Sequence, residues 1–493
     1  MKDRYLKITK TIICILIITV VALTFISKSF ENDIFFDLKT GESILKYGID
    51  FKDHFSFIPD LTYIYHHWLY DLIILKIYSI GKFDALFLFF TALFAIFGIA
   101  VYYVNTKRNN NIISLIIAIL TMYISSHAFM TRVQSVTYTL LFLEIYFLEK
   151  LYKEGKVKYS IYLILMAVLT VNIHMPIWIV YIIFTVPYLI ETLLHLLSKK
   201  IKLKNLKIEK PKNSKLIINT ILSLLLTGLI SPLKLYPYTF ITGVLNNNSY
   251  QIINEMKRTV LYYQKWELLI IIIILVSSYL KILKFNIRDY LLTLGLFLLS
   301  LMSLRNTAFF LTIIPTLYIK NINIKKIEFK KITNRIDFKV INTFTLIILA
   351  GLNIFLINEL LNLKNNYNIE IDYPDKSVKY IKENLDYKNI KLYNEFDFGS
   401  YLEYYDIPVF IDSRAEVYME KFNKKSDIMS DYNKVDDYAE YEKVFKKYEF
   451  DYALVYKKTN IYKYLKNNDN YEIIFKETNR EETPYILFKK KEL

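Results

Sequence analysis

The sequence predicts a polytopic α-helical membrane protein with a small α/β domain at its C-terminal end. Hydrophobic residues make up 54% of the 493 residues, and the mean hydropathy is +0.26. A soluble domain of this length does not need so much apolar surface. Apolar runs long enough to cross a bilayer, or nearly so, recur along the first 360 residues. After them come short apolar runs between polar segments, a pattern typical of strands. These predicted strands lie at 390–393, 408–412, 452–456, 471–475 and 485–488.

The apolar runs predict about eleven transmembrane helices. They lie at about 8–27, 83–104, 112–129, 133–149, 158–173, 175–197, 216–232, 265–280, 289–304, 306–320 and 341–358. The first run is long, follows a basic start and has no small-residue cleavage site after it, so we expect an uncleaved anchor instead of a signal peptide. The amphipathic stretch from Trp68 to Ile80 is too polar to span and is expected to lie as a helix on the membrane surface.

Basic residues between the apolar runs predict the orientation. Eight lysines lie in 199–215, seven basic residues lie in 320–339, and the N-terminus is also basic. Because positive charge marks the cytoplasmic side, we expect a cytoplasmic N-terminus and, after an odd number of spans, an extracytoplasmic tail. The predicted domains are a cell-membrane domain at 1–360, with a first outer loop and surface helix at 28–82, and an extracytoplasmic α/β domain at 361–493.

The composition also excludes several classes of function. The net charge of +16 comes from loops between apolar runs, which indicates membrane topology and argues against a nucleic-acid partner. A single cysteine, Cys14, excludes an intrachain disulfide and a thiolate metal cluster. The sequence has no glycine-rich phosphate loop, GxSxG elbow or HExxH helix, which are the usual signals of ATP-driven transport, α/β-hydrolases and zincin proteases.

The first outer loop carries the candidate catalytic residues Asp33 and Asp37. They are four residues apart, so on a helix they share a face, and either can take a proton from an attacking hydroxyl. Together they can also bind a divalent cation such as Mg or Mn, although no cofactor is certain. The alternative for Asp33 is an acidic helix N-terminus stabilised by the helix dipole. The loop's histidines include His54 and His67, but adjacent histidines on one element point in different directions, so spacing gives little support to a metal site.

A second group of polar residues falls at the predicted outer junctions between spans. Ionisable groups close to the hydrocarbon are costly and persist mainly where they face a cavity or a partner. Arginine binds phosphate with a planar fork of donors, and a lipid carrier places its phosphate at a membrane surface. The alternatives are arginines that snorkel to lipid headgroups and a histidine that satisfies a backbone carbonyl. The candidate phosphate ligands are Arg132, Lys257, Arg258 and Arg305, and the candidate cavity or acceptor residues are His54, His67, Gln134, His174, Glu255 and Asn306.

Short motifs recur along nearly the whole chain. The first loop has Thr-Gly-Glu at 40–42, Asp-His-Phe-Ser-Phe at 53–57 and His-Trp-Leu at 67–69. Later motifs are Arg-Val-Gln at 132–134, Asn-Ile-His at 172–174, Ile-Asn-Glu at 253–255, Ser-Leu-Arg at 303–305, Phe-Gly-Ser-Tyr-Leu at 398–402 and Val-Phe-Ile-Asp-Ser-Arg-Ala at 409–415. In this order they resemble the motifs of the GT-C superfamily of integral-membrane glycosyltransferases, in its bacterial and archaeal type that uses polyprenyl-phosphate sugars. The chain departs from the family's pattern at Asp37, Val133, His67 and Ser413, where histidine, proline, glutamate and glycine are usual.

The resemblance implies a GT-C-like fold and a hexosyl- or pentosyltransferase. Such an enzyme moves a sugar from a polyprenyl-phosphate donor in the membrane lipid to a glycan, lipid or protein acceptor on the outer face. The resemblance further implies that Asp33 is the base or helps to hold a divalent ion, and that Arg132 and Arg305 neutralise the departing phosphate. In the tail, Asp412 and Arg414 can bind acceptor or form an internal ion pair. Two other classes stay open: a transporter or flippase of a lipid-linked or anionic solute, and a non-catalytic cell-envelope scaffold.

Overall fold

The computed structural model describes residues 2–27, 29–107, 111–198, 208–245, 257, 265–279, 285–321, 350–352, 354–358, 373–438, 440–478 and 484–491. The described chain is mostly helical, with one small sheet near its C-terminal end. It divides into two compact units. Unit 1 comprises Met1–Ser27, Asp84–Ser231 and Ile253–Asn366, and unit 2 comprises Lys28–Phe83, Pro232–Ile252 and Tyr367–Leu493.

Twelve helices precede residue 322 in the described part of the chain. They are α1 (Lys2–Phe25), α2 (Asp33–Tyr47), α3 (Trp68–Thr106), α4 (Asn111–Ser125), α5 (Gln134–Glu154), α6 (Val157–Ile173), α7 (Met175–Ser198), α8 (Ser214–Leu226), α9 (Tyr236–Leu245), α10 (Lys265–Tyr279), α11 (Ile287–Met302) and α12 (Thr307–Asn321). Short 3-10 turns follow α4, α8 and α11 at Ser126–Ala128, Thr227–Leu229 and Leu304–Asn306. Helices α2 and α9 belong to unit 2, together with the first part of α3.

Four helical segments among the described residues are long and apolar enough to cross a membrane. They are Ile8–Phe25, Trp68–Thr106, Asn111–Ala128 and Met175–Leu197. Shorter apolar helices lie at Val157–Ile173, Ser214–Leu229 and Glu267–Ser277. The predicted helical chain with apolar, membrane-compatible segments is thus confirmed, while the count of about eleven spans stays a prediction. Most of the predicted run at 341–358 lies outside the described residues.

The predicted separation between a surface helix and a span coincides with a break inside α3. Gly81 and Lys82 have non-helical backbone angles, and Lys82 adopts a positive φ of 52° with a ψ of −141°. These angles interrupt the hydrogen-bonding pattern of an α-helix, so α3 consists of two helical parts. The first part is the amphipathic stretch that begins at Trp68, and the second is the apolar run that ends at Thr106.

Local signals in the sequence account for several helix ends in unit 1. Helix α5 ends at Gly155, whose φ of 62° lies in the left-handed region that favours glycine and whose N–H donates to the Leu151 carbonyl. Helix α11 begins with a capping box in which Asn286 and Asp289 satisfy each other's backbone N–H groups. At the start of α8, the Asn213 side chain accepts from a backbone N–H.

A buried ion cluster joins α5, α7 and α11 in unit 1. Arg288 is only 1% exposed, and it donates to Glu149 at 3.2 Å and to Glu191 and Glu209 at 2.6 Å. Its guanidinium also lies over the Tyr152 ring, 4.3 Å from the centroid. A buried arginine is stable only when its charge and donors are matched, so this cluster fixes the three helices together. The cluster was not predicted, because the lysines around 199–215 indicate membrane topology and conceal the role of Glu209 among them.

The sheet of unit 2 has four strands in the order β1-β2-β4-β3. The strands are β1 (Leu392–Asn394), β2 (Tyr452–Tyr456), β3 (Tyr471–Thr478) and β4 (Pro484–Lys490). Strand β1 runs parallel to β2, and the other two pairs are antiparallel. Six further helices accompany the sheet: α13 (Asp375–Asn384), α14 (Gly399–Tyr404), α15 (Glu420–Asn423), α16 (Ile428–Tyr438), α17 (Tyr441–Tyr448) and α18 (Asn460–Lys466).

The strand predicted at 408–412 is wrong. This buried segment forms only an isolated bridge, between Val409 and Ser56 of the first loop. Two of its other backbone groups bond to the side chain of Asn394: Phe410 N–H donates to Asn394 Oδ1 at 2.9 Å, and Asn394 Nδ2 donates to the Ile411 carbonyl at 2.7 Å. Because Asn394 occupies these groups, the segment packs beside β1 without joining the sheet.

The first loop belongs to the same compact unit as the tail. Asn32 shows why, since its amide donates to the Phe396 carbonyl at 3.3 Å and accepts from Tyr401 N–H at 3.2 Å. The Phe35 ring packs edge-on against the rings of Tyr373 and Tyr401, each at 5.0 Å. The predicted domains instead place the first loop with the spans. Their boundary at 360–361 lies outside the described residues.

Candidate functional site

Three buried side chains of unit 2 bring possible metal ligands together. Asp37, His67 and Asp71 each offer one ligand atom, and these atoms lie within 4.8 Å of one another. The Nδ1 atom of His67 is 3.7 Å from Oδ1 of Asp37. Asp37 is 1% exposed and Asp71 is fully buried, so both carboxyl groups are removed from solvent. We call this set the acidic triad.

Helix packing positions the acidic triad. Asp37 lies on α2 and Asp71 in the first turn of α3, and Gly41 lies one turn after Asp37 on the same face. A Cβ atom at Gly41 would lie 2.7 Å from the Asp71 carbonyl oxygen, so only glycine allows the two helices to approach this closely. Asp71 N–H donates to the His67 carbonyl at 3.0 Å, which places these two residues one helical turn apart.

A second buried pair lies beside the triad. His66 Nδ1 is 3.0 Å from Glu416 Oε1, and the rings of His66 and His67 are 4.0 Å apart. Burial acts to raise the pKa of Glu416, but the interactions with His66, a backbone N–H and Arg414 together outweigh it and hold the pKa below its usual value. Glu416 therefore stays ionised, and it connects the 3-10 turn Ala415–Tyr418 of the tail to the histidine that precedes the triad.

The chemistry of the triad fits a divalent cation. Two buried carboxylates side by side repel each other unless a proton or a cation lies between them. Carboxylate oxygens suit Mg²⁺ and Mn²⁺, and the imidazole nitrogen of His67 makes Mn²⁺ the better match. The ligands predicted from the sequence are Asp33 and Asp37. The group that the described residues form contains Asp37 and not Asp33.

Asp33 and His54 lie elsewhere in the first loop. Asp33 is the first residue of α2 and is half-buried, a position where the helix dipole favours a carboxylate. His54 is 2.9 Å from an oxygen of Asp50 and stacks on Tyr47 with ring centroids 4.3 Å apart. Both contacts of His54 are local to the loop, outside the triad.

Arg414 is the centre of a buried ion cluster that includes Asp412. Its guanidinium donates to Asp53 and Glu403 at 2.7 Å and to Asp412 at 2.6 Å, and Tyr418 also donates to Asp412. Burial raises the pKa of Glu403 well above its usual value. Burial also acts to raise the pKa of Asp412, but Arg414 and the hydrogen bonds with Glu403 and Tyr418 together outweigh it and lower that pKa. The arrangement matches the internal ion pair that the sequence left as the alternative to acceptor binding by Asp412 and Arg414.

In unit 1 the structure brings together two of the predicted outer-junction residues. Gln134 is buried, and its amide oxygen is turned toward Arg305. This oxygen accepts a hydrogen bond from Nε of the Arg305 guanidinium at 3.3 Å. The N–H of Leu304 donates to the backbone carbonyl of Lys257 at 3.1 Å. Because Leu304 immediately precedes Arg305, this bond places the exposed Lys257 near Arg305 as well. Arg132 is half-buried, two residues before Gln134. These cationic residues therefore share one region of unit 1.

Of the other predicted site residues, the structure describes His174 and Asn306. His174 is buried at the end of α6, where its N–H donates to the Thr170 carbonyl at 2.8 Å and its Nδ1 is 3.5 Å from Thr137 Oγ1. Asn306 is half-buried at the end of the Leu304–Asn306 turn. Glu255 and Arg258 lie outside the described residues.

Sequence reasoning missed Asp71 and Glu416. The signal for Asp71 was present, because Asp71 follows His67 by four residues at the start of a helical segment and so shares its face. No comparable signal existed for Glu416, which comes 350 residues after His66 and meets it only through the fold.

No protein-family model matches the chain, and no curated protein matches it. The resemblance to the GT-C superfamily stays a prediction from the motifs.

Proposed function

We propose that this protein is a membrane glycosyltransferase of the GT-C type. It transfers a hexose or pentose from a polyprenyl-phosphate donor to a glycan, lipid or protein acceptor on the outer face, with inversion at the anomeric carbon. In this proposal the chain has about eleven spans and an extracytoplasmic tail. The observation that carries the proposal is the acidic triad, because it gathers Asp37 and His67 of the motif-bearing first loop into one buried group.

The proposed reaction forms one bond and breaks one. The acceptor hydroxyl attacks the anomeric carbon, its proton passes to a carboxylate, and the bond from that carbon to the phosphate oxygen breaks with its electrons on the phosphate. We assign the proton transfer to Asp33, the half-buried carboxylate at the start of α2. Asp37, His67 and Asp71 would hold a divalent cation. When bound, this cation would compensate negative charge in the site.

Arg305 is the proposed ligand of the donor phosphate. The Arg305 side chain is half-buried, and its guanidinium donates a hydrogen bond to the amide oxygen of Gln134. This contact restricts the orientation of the guanidinium. A preoriented guanidinium stabilises the charge that develops on a leaving phosphate more than a flexible one does. Arg132 and Lys257 are proposed to add positive charge in the same region of unit 1, and Arg258 and Glu255 keep their predicted roles.

Surface glycans of cells with and without the protein test the proposal. We expect cells that lack the protein to lose a defined glycan or glycoconjugate, and wild-type protein to restore it. Asp33→Asn should not restore it, although the variant is present in the membrane at the wild-type level. Asp60→Asn is the matched control because Asp60 is an exposed aspartate of the same loop. Full restoration by Asp33→Asn would remove Asp33 as the base, and identical glycans in all cells would contradict the proposal itself.

A further inference from the structure

A glutamate in the interior of unit 1 has no partner for its carboxyl group among the described residues. Glu144 lies at the centre of α5 and is fully buried. Neither of its carboxyl oxygens accepts a hydrogen bond or forms an ion pair in the described part of the chain. Buried carboxyl groups are almost always paired, so this position requires a physical explanation.

In the described part of unit 1, the surroundings of Glu144 offer no compensating charge. Its neighbours one turn away on α5, Leu141 and Leu148, are buried and apolar. The titratable groups that face it from the packed helices, among residues that the structure describes, are two phenols of α7, Tyr181 and Tyr188. The hydroxyl of Tyr181 donates to the Leu163 carbonyl at 2.9 Å and is therefore engaged elsewhere. Among the described residues, no cation acts on Glu144.

The same helix contains a buried glutamate with the opposite environment. Glu149 lies five residues after Glu144 and is also buried. It accepts from Arg288 at 3.2 Å and pairs with Lys153 at 2.5 Å. Two cations thus stabilise Glu149 as a carboxylate, whereas Glu144 has apolar neighbours. This difference makes Glu149 a matched control within the same element.

We propose that Glu144 is a proton-binding site, which holds its proton at neutral pH as an uncharged carboxyl group. An isolated buried carboxylate is far less stable than a carboxylic acid in the same place, because burial removes the hydration of the charge. A protonated carboxyl inside a helical membrane protein is a group that a proton-linked step can use. The ligand in this proposal is the proton itself, and the proposal does not depend on the glycosyltransferase assignment.

A hydrophobic carbodiimide tests this protonation state. The reagent reacts with a protonated carboxyl group: the carboxyl oxygen adds to the central carbon of the carbodiimide, and the proton moves to one of its nitrogens. The adduct rearranges to a stable N-acylurea that retains every atom of both reactants. Full-length protein in its membrane is treated with dicyclohexylcarbodiimide at pH 7 and digested, and its peptides are measured by mass spectrometry. We expect the adduct on Glu144 and at least tenfold less on Glu149.

Infrared spectroscopy gives a second, reagent-free measurement. Wild-type protein should show a carboxylic-acid C=O band at pH 7 that is absent from Glu144→Gln and retained in Glu149→Gln. The difference between wild type and Glu144→Gln isolates this band from the C=O bands of other carboxylic acids in the chain. Both the adduct on Glu144 and the loss of the band support the proposal. An infrared spectrum of Glu144→Gln with the full wild-type band, or equal labelling of Glu144 and Glu149, would overturn it.

Discussion

Arg414 Nη1 donates to Asp53 Oδ1 at 2.7 Å, and both side chains are buried inside unit 2 although they are 361 residues apart in the chain. The Arg414 guanidinium also lies over the Phe55 ring, 4.7 Å from the centroid. This relationship fastens the first loop, which carries the acidic triad, to the tail. The tail therefore helps to hold the candidate site in place and is more than an appended domain.

Replacement of Arg414 should destabilise unit 2 strongly. Arg414→Met leaves the acids Asp53, Glu403 and Asp412 buried without their cation, and breaking such a pair by removing one partner costs about 3–5 kcal/mol. Urea unfolding of the purified protein in detergent measures the change. The control is Lys425→Met, which removes an exposed ion pair and should cost about 0–1 kcal/mol. Equal destabilisation by the two variants would contradict the account.

Glu403 should make stability depend on pH in a direction opposite to most acids. Burial raises its pKa in the folded protein well above the usual value that it has in the unfolded chain, so between the two pKa values the folded state binds more protons. Stability therefore falls as the pH rises through that window. Glu403→Gln mimics the protonated acid and should remove this part of the fall, as measured by unfolding from pH 4 to pH 8. A fall as steep in Glu403→Gln as in the wild type would show that Glu403 is ionised when folded.

Gly41→Ala should damage the candidate site. The new Cβ would lie 2.7 Å from the backbone oxygen of Asp71, so α2 and α3 must move apart, at a cost of about 1–3 kcal/mol. Gly295→Ala is the matched control because it lies inside α11 with open space around it, and alanine there should stabilise the helix by up to about 1 kcal/mol. Thermal unfolding measures both. Wild-type stability of Gly41→Ala would show that the contact between α2 and α3 does not require glycine.

Mn²⁺ binding should depend on the acidic triad. We expect Asp37→Asn and His67→Ala each to weaken Mn²⁺ binding by at least about tenfold, because each removes a ligand atom. His54→Ala should leave the affinity unchanged, since His54 contacts Asp50 and Tyr47 instead. Titration of purified protein followed by electron paramagnetic resonance of free Mn²⁺ measures the affinity. Equal weakening by all three variants would argue against a site at the triad.

Sequence periodicity predicted the helices best where the apolar run is long, as in α1 and α7. It also located the break near Gly81, because the polar stretch from Trp68 and the apolar run after Lys82 differ in composition. It failed at 408–412, where an apolar run has the pattern of a strand but Asn394 takes its backbone hydrogen bonds. Hydrogen bonds from a distant side chain leave no trace in local composition.

The candidate site was predictable only in part, for the same reason. Asp37 and His67 stood out as polar residues of the first loop, and the spacing of Asp71 from His67 is visible in the sequence. The pairing of His66 with Glu416 depends on how the tail folds back within unit 2, which no periodicity encodes. Glu144 likewise has no hydrogen-bond partner among the described residues because of how the helices pack around α5, and periodicity does not encode that packing.

Formation of a glycosidic bond by the purified protein tests the central claim most directly. Full-length wild-type protein is reconstituted with polyprenyl-phosphate sugars and a set of hydroxyl acceptors, and the products are measured by mass spectrometry. We predict that wild type and Asp60→Asn form the glycoside and that Asp33→Asn forms it about 10²–10⁴-fold more slowly, as expected for loss of a general base. Passage of the sugar lipid across the membrane with no glycosidic bond formed, or equal rates for wild type and Asp33→Asn, would contradict the account.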